Sequence, residues 1–353
     1  MELALSHSCD ACINKPIVQL HFLNDKLTIT SKGEFTQYEE SISIEKISEE
    51  YSFSLKATTL LEFVKHISSD NIILAFDKEK QSCLVSSEDK KTKIAIQTLD
   101  INIENIEVDN YKISFKEMNF LELLKRLNFA SKFCSLNFQD YPLTGIHCLI
   151  KDGNFEIKST NGPAFYSAKL SKSKTDDFEF YLPKKSPLII KNVFSDKPIN
   201  SFSVRNDSIL VESENRRLKV FLEKCEKDSF PTQIIDWIKK EPSAKVKISI
   251  YELAKSLKFF ISVASDSNVN FTIKNDTMSL EAKENTIAAK ESMVTEEISG
   301  EAVSAYNPKF LLDCLESLQS SWAEINFIKM QEDFYLIKIS DEDTTALLCP
   351  TIF

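Results

Sequence analysis

Glycine is scarce in this chain. Five glycines in 353 residues leave no glycine-rich loop to cradle a phosphate, and neither a Walker A nor a G-x-G-x-x-G signature is present. Histidine is scarcer still: His7, His21, His66 and His147 show no H-E-x-x-H or other paired-ligand spacing. Cys9-Asp10-Ala11-Cys12 is the only C-x-x-C, and half a zinc or redox site without a second pair is usually coincidence. No apolar run approaches the roughly 18 residues that span a bilayer. The opening MELALSHSCD has neither a basic leader nor a long apolar core. These absences argue against an enzyme and against a membrane protein; no catalytic residue, metal or cofactor is expected. The eight cysteines, Cys9, Cys12, Cys83, Cys134, Cys148, Cys225, Cys314 and Cys349, are scattered as reduced thiols of a cytoplasmic protein would be.

What the chain does have is repetition. Tyr51–Ile67 (YSFSLKATTLLEFVKHI) is echoed by Phe178–Phe194 (FEFYLPKKSPLIIKNVF) and by Ala302–Leu318 (AVSAYNPKFLLDCLESL). In each, an alternating strand runs into an apolar-periodic helix. Leu55, Leu182 and Tyr306 hold the junction, spaced 127 and 124 residues apart. A second element recurs in phase, Tyr111–Leu127 matching Val246–Leu257. A period this long marks repeated domains rather than solenoid units of about 20–50 residues. Three strands follow each long helix: Asn71–Phe76, Gln81–Ser86 and Lys93–Thr98; then Asn200–Val204, Ser208–Ser213 and Arg217–Glu223; then Glu324–Ile328, Phe334–Ser340 and Thr345–Cys349. Between the helices of the middle domain lie Leu143–Leu149, Asn154–Ser159 and Phe165–Lys169, with a hairpin signal at Lys151–Asn154.

Boundaries near Asp109–Asn110 and within the proline-bearing Phe230–Lys245 stretch divide the chain into 1–109, 110–231 and 232–353. Each domain reads as α+β, an antiparallel sheet with two helices on one side. Domain one reaches its strand Ile17–Leu23 early. MELALSHSCDA can supply the tail of a helix and no full preceding strand, so either the start is downstream of the true one or part of an inner helix is lost.

The formal charge is −10, which by itself opposes a protein that merely coats nucleic acid. Its distribution softens that objection. Leu55–Ile67, Glu117–Phe133, Pro183–Phe194, Tyr251–Ser265 and Asn307–Leu318 together carry +5, leaving −15 elsewhere. A weakly positive helical surface suits sequence-independent phosphate contact, although lysine on solvated helices is common.

Several short motifs occur in a fixed order. Leu143 and Gly145 open a strand, Thr160-Asn161-Gly162 forms a turn followed by Phe165, Phe230-Pro231 sits at the second boundary, Asn307, Phe310 and Leu311 open a helix, and the chain closes Cys349-Pro350-Thr351. In this order, on a threefold repeat over about residues 12–353, they resemble the bacterial DNA polymerase III beta subunit, the sliding clamp family.

The resemblance implies a head-to-tail homodimer whose domains close a ring around duplex DNA. It also implies an apolar pocket that tethers polymerase III subunits, the clamp loader and other clamp-binding proteins. Carried over by position, the pocket is Leu143, Thr160, Gly162, Pro163, Ala164, Phe165, Pro231, Ile235, Leu347, Cys349, Pro350, Thr351, Ile352 and Phe353. Candidates for the DNA-facing surface are Lys125, Arg126, Lys132, Lys184, Lys185, Lys191, Lys255 and Lys258. The dimer would join Lys93–Leu99, with Lys93, Ile94 and Ile96, to a domain-three edge supported by Phe259, Phe260 and Ile261. Helical periodicity cannot turn all of these outward. Pro163, Ala164 and Ile352 replace frequent basic residues of the family, and Asn161 an aspartate, so a less cationic pocket is expected, favouring leucine and aromatic anchors. The alternative reading is a relative that binds protein partners without encircling DNA.

Overall fold

The structure, a computed structural model of the whole chain, describes every residue except 13, 15, 45–48, 69–70, 108–112, 116–118, 138, 140–142, 153, 171–176, 225–229, 232, 265–266, 285–286, 333 and 352–353. The side chains of 113–115, 235, 284 and 287 are likewise not described.

The first repeat runs α1 (Glu2–Ala11), β1 (Ile17–Leu23), β2 (Lys26–Lys32), β3 (Thr36–Ser43), β4 (Tyr51–Lys56), α2 (Ala57–His66), β5 (Ile72–Asp77), β6 (Ser82–Ser87) and β7 (Lys93–Gln97). The second runs β8 (Ile113–Phe115), α3 (Phe120–Lys132), β9 (Gly145–Lys151), β10 (Asn154–Thr160), β11 (Ala164–Leu170), β12 (Phe178–Pro183), α4 (Ser186–Val193), β13 (Ser201–Val204), β14 (Ser208–Glu212) and β15 (Arg216–Phe221). A short α5 (Gln233–Ile238) precedes the third: β16 (Ala244–Ser249), α6 (Ile250–Val263), β17 (Val269–Lys274), β18 (Thr277–Glu284), β19 (Ile287–Met293), β20 (Glu297–Gly300), β21 (Ala302–Tyr306), α7 (Pro308–Glu316), β22 (Trp322–Gln331), β23 (Phe334–Ser340) and β24 (Thr344–Leu348).

Local chemistry explains the punctuation. Asn24-Asp25 and Asn275-Asp276 adopt positive φ of 51° and 56° in each pair, the tight hairpin turn whose twist matches the strands it joins. Asp152, at the equivalent β9–β10 turn, has φ 50°. Ser249 caps α6 by accepting from the Glu252 amide, an S-x-x-E capping pattern. Asn307 accepts from the Lys309 and Phe310 amides at the start of α7, with Pro308 in its first turn. Leu253, Ser256, Leu257 and Phe260 bury one face of α6, the spacing of an amphipathic helix.

Two compact units result. Unit 1 comprises 1–120 and 185–224, unit 2 comprises 121–184 and 225–353. Unit 1 therefore holds the first repeat with β13–β15, and unit 2 the third repeat with β9–β12. Unit 1 contains the sheets β4-β1-β2-β3-β15-β14-β13-β8 and β5-β6-β7. Unit 2 contains β12-β9-β10-β11-β24-β23-β22-β16-β20 and β19-β18-β17-β21.

Each unit has one join between repeats, and the two joins have the same register. Thr36, Tyr38 and Glu40 face Val220, Leu218 and Arg216. Ala164, Tyr166 and Ala168 face Leu348, Ala346 and Thr344.

Both joins bury an arginine and a tyrosine. Arg216 is 0% exposed. It donates to both Glu40 oxygens at 3.0 and 2.9 Å, and to the Val193 carbonyl and Asp196 at 2.6 Å each. Tyr38 donates its hydroxyl to Glu40. In the second join Arg126 of α3 donates to Glu122 at 2.5 Å, to the Thr344 hydroxyl, and to the Ser317 carbonyl at 3.5 Å. Tyr166 beside it is fully buried, and burial pushes its phenol up although Arg126 pulls it down.

Glu40 makes the first join sensitive to acid. Burial alone would raise its carboxyl, but His7, Arg216 and Tyr38 outweigh that and hold it at about 2, below the ordinary 4.5. A depressed carboxyl stabilises the fold above its unfolded value and ceases to do so as pH falls through the folded one. Unit 1 is therefore expected to lose stability between pH 4.5 and about 2. Glu40→Gln should flatten this limb of a denaturation-versus-pH curve; an unchanged slope would remove Glu40 as its source.

The structure corrects several expectations. The first residues form the ten-residue helix α1, whose buried face is Ala4, Leu5, His7, Ser8 and Ala11. Part of the Phe230–Lys245 boundary stretch forms the six-residue helix α5. Cys9 and Cys12 lie at the end of α1, where burial, chiefly, raises both thiols and makes poor nucleophiles of them.

Candidate partner-binding site

The β10–β11 turn is built by its own side chains. Asn161 Oδ1 accepts from the Ala164 amide at 2.9 Å; Thr160 Oγ1 donates to the Ala164 carbonyl at 2.7 Å and accepts from the Gly162 amide at 3.2 Å. Gly162 adopts φ +93°, where a side chain would be strained. Asn161 thus serves the turn through an oxygen, the atom an aspartate would also supply.

The chain beyond β24 is tied to this turn. The Cys349 amide donates to the Pro163 carbonyl at 2.7 Å and the Thr351 amide to the Ala305 carbonyl at 2.8 Å. Phe165 pairs across strands with Leu347, and both join a buried cluster with Tyr181, Phe230, Ile234 and Leu336. His147 lies 4.9 Å from the Phe230 ring and 4.8 Å from that of Tyr181, its Nε2 2.8 Å from Glu179. Burial pushes this imidazole down despite the Glu179 carboxylate. Trp237, Ile238, Met330 and Cys349 form the partly exposed margin.

The residues expected here divide by depth. Thr160, Ala164, Phe165 and Leu347 are buried, so they form the floor and do not face solvent. Gly162, Pro163 and Thr351 are exposed, while Leu143, Pro231, Cys349 and Pro350 are half-buried. Leu143 stands outside the cluster. The Ile235 side chain and residues Ile352 and Phe353 lie outside the described residues. Missed from sequence were His147, Tyr181 and the α5 pair Ile234 and Trp237. The Ile234–Trp237–Ile238 spacing between two prolines was the available signal for α5.

Two lysines stand near the margin. Lys240 Nζ lies 3.7 Å from Met330 Sδ, and Lys338 donates to the Ile238 carbonyl at 3.4 Å. Cations absent from the β10–β11 turn stand instead beside α5 and on β23. The margin is thus apolar with lysines on one side, suited to a short peptide with aromatic or leucine anchors.

The lysines expected to face DNA fall into two groups. Lys125, Lys185, Lys191, Lys255 and Lys258 are exposed, the last beside a carboxylate. Arg126 is only 2% exposed and is committed to the join, so it is withdrawn as a phosphate contact. Lys132 pairs with Asp313 at 2.5 Å, Lys258 pairs with Glu316 at 3.3 Å, and Lys184 donates to the Cys134 carbonyl at 2.8 Å. The helices outside the five counted from sequence are acidic: α1 carries Glu2 and Asp10, α5 carries Asp236, and neither has Lys or Arg. The helical charge excess is smaller than it seemed.

Of the dimer candidates, Phe260 is 0% exposed because it lies on the buried face of α6, and it is withdrawn. Ile96 is also buried, within the β5–β7 core. Phe259 is 49% exposed, Ile94 and Ile261 are half-buried, and Lys93 is exposed. Strands β7 and β19 are free edges of their sheets.

Repeats joined edge to edge, with an apolar site at one join, define a binding scaffold of antiparallel α+β repeats. A family model described as DNA polymerase III beta subunit, C-terminal domain, matches residues 237–352. The beta sliding clamp of Streptococcus pneumoniae serotype 4 is 24% identical over 355 residues, covering 94% of this chain and 90% of the relative. The crystal structure of the DNA polymerase III beta chain from Streptococcus pneumoniae shares the fold at TM-score 0.86 and 20% identity, covering 100% of this chain and 97% of that one. The Helicobacter pylori beta clamp, bound to a DNA ligase peptide, does so at TM-score 0.84 and 19% identity, with coverage of 100% and 97%. Residues 237–352 thus match the C-terminal domain of the DNA polymerase III beta subunit, and the chain as a whole is similar to beta sliding clamps in sequence and shares their fold. Among the described residues, no helix is long and apolar enough to cross a membrane.

Proposed function

We propose that the chain is a cytoplasmic DNA sliding clamp without catalytic activity. Its domains are 1–109, 110–231 and 232–353, and two copies close head to tail around duplex DNA. The apolar site under the β10–β11 turn tethers polymerase III subunits, the clamp loader and other DNA enzymes, as the peptide complex of the Helicobacter pylori relative supports. One observation carries this reading. The strands of the two joins occupy equivalent places in their repeats, and the same rule leaves β19 and β7 as the complementary free edges. Free edges attract pairing partners, and a head-to-tail rule that closes makes a ring.

The rule also gives a register. Superposing the pairs Thr36–Val220 and Ala164–Leu348 on the free edges puts Ile287 opposite Ile96 and Ala289 opposite Ile94, with the exposed Ala288 opposite Ala95. Ala95→Cys combined with Ala288→Cys should therefore give an oxidised dimer of twice the 40.3 kDa chain mass, whereas either single variant should not. A double variant that stays monomeric on an oxidising gel would sink the proposed edge pairing.

DNA contact falls to the exposed lysines. Glutamate at Lys125, Lys185, Lys191 and Lys255 should weaken DNA binding and lower the log–log salt slope by about 0.9 for each phosphate no longer neutralised, with the dimer intact. An unchanged slope would favour a relative that binds protein partners without encircling DNA.

A further inference from the structure

Resting on the partner-site reading above, we infer that His147 is a positioning residue of that site: its uncharged ring seats Phe230, and protonation of the ring unseats it. Strand β9 sets His147 opposite Tyr181 of β12 and Lys158 of β10. Its Nε2 lies 2.8 Å from Glu179 Oε1, and the Tyr181 hydroxyl reaches the same oxygen at 3.5 Å. The Phe230 ring lies over the imidazole at an interplanar angle of 17°, and Phe165 stands 6.2 Å from that phenyl ring. Phe230 is thus held between an imidazole and the floor of the site, and both it and His147 are buried. Just beyond Phe230 the chain enters α5, whose Ile234 joins the same buried cluster and whose Trp237 stands at its margin. Where Phe230 sits therefore fixes where the margin stands.

Only one side of the ring has a hydrogen bond. Nε2 donates to the Glu179 carboxylate, which fixes the tautomer and leaves Nδ1 bare. Nδ1 is buried with no hydrogen-bond partner among the described residues. A bare acceptor is tolerated there. An imidazolium is not, because both nitrogens then donate and the second N–H meets no acceptor. The charged and titratable groups facing the ring are Glu179 and Tyr181 from β12, with Lys158 and its partner Glu156, 2.6 Å away, from β10. Phe230 and Ile234 bring none. Burial, chiefly, holds the imidazole below the ordinary 6.5, against the pull of Glu179. A released ring therefore takes up its proton before a seated one does. The seated arrangement is favoured above pH 6.5 and loses its advantage as pH falls below that value. Protonation turns the imidazole toward water and lifts Phe230, so Ile234 and Trp237 lose their seat while the β9–β12 ladder stays. The site holds its partners at neutral pH and lets them go in acid.

Fluorescence polarisation with a labelled leucine- and aromatic-containing peptide that has blocked ends and no titratable side chain isolates the ring. Between about pH 7.5 and 5 the affinity of the parent should fall, by up to about tenfold per pH unit, the limit for uptake of one proton. Glu40 of unit 1 keeps its charge throughout that range. His147→Gln removes the titrating ring and keeps a donor for Glu179; the first repeat holds Gln19 at the matching place, opposite Ser54 and Thr30. This variant should bind more weakly at neutral pH, having lost the stack, and should bind equally at both ends of the range. A merely structural role would lower the affinity and leave the slope. A parent affinity that is flat with pH, or a variant that keeps the parent's slope, would overturn the inference. Hydrogen exchange of the unaltered chain, corrected for the intrinsic rate at each pH, needs neither variant nor peptide. Amides of α5 should lose protection toward the acid end while those of β9 and β12 keep theirs; protection of α5 that does not change with pH would overturn the inference. A peptide that binds at no pH is a different failure, that of the partner site, and the exchange result then decides alone.

Discussion

Replacing Arg216 with methionine is expected to destabilise unit 1 by about 3–5 kcal/mol, the usual cost of removing one partner from a buried ion pair. Arg216 donates to two carboxylates and to the Val193 carbonyl. Glu40 is itself only 3% exposed, so without the guanidinium its charge is stranded away from water. The loss should be partly recovered when Glu40 is also made methionine, because an apolar pair of similar volume is often as stable as a buried ion pair. Denaturant unfolding of the two single variants and the double variant measures the coupling directly. A loss for Arg216→Met below about 1 kcal/mol, the range of surface pairs, would show that the arginine is not holding the join.

Trp237→Ala is expected to weaken a leucine- and aromatic-containing clamp-binding peptide by about 2 kcal/mol or more, roughly 30-fold, as alanine substitution at a tryptophan hot spot does. Trp237 lies on the margin of the cluster whose floor is Phe165, Phe230 and Leu347, so a peptide anchor reaching that floor must pass against its ring. Because the residue is partly exposed, the fold should survive. Fluorescence polarisation with a labelled peptide reads the affinity, and thermal melting checks the fold. Lys240→Glu, beside Met330, should separate the acidic contribution from the apolar one: a peptide carrying an acidic residue loses affinity, and its neutral counterpart does not. Equal binding of the parent and Trp237→Ala to the peptide would move the site away from α5.

The repeat was legible because strand-to-helix transitions leave a period-2 pattern running into a period-3.6 one, and Leu55, Leu182 and Tyr306 mark that change in each repeat. Strands β1 and β23 have the bounds read from alternation alone. Helix α1 was only partly legible because, apart from Leu5, its buried face is made of small and polar residues, Ala4, His7, Ser8 and Ala11, which carry little hydrophobic signal. Helix α5 hid between Pro231 and Pro242, where prolines read as a boundary. The floor of the partner site was legible as Phe165 and Leu347, adjacent to the recognised turn; His147 and Tyr181 were not, since only the β9–β12 register brings them under Phe230. Arg126 misled most. On a helix its charge reads as solvated, and nothing local reveals that Thr344 and the Ser317 carbonyl, far along the chain, bury it.

A closed ring around DNA is tested most directly by topology. The Ala95→Cys, Ala288→Cys variant can be oxidised in the presence of a circular plasmid, so that no loading machinery is needed to trap DNA inside. The expected result is a complex that survives high salt, where phosphate contacts are screened, and that falls away once the plasmid is cut. Release at high salt from the intact circle as readily as from the linear form, with the cross-link formed, would show that the dimer does not encircle DNA.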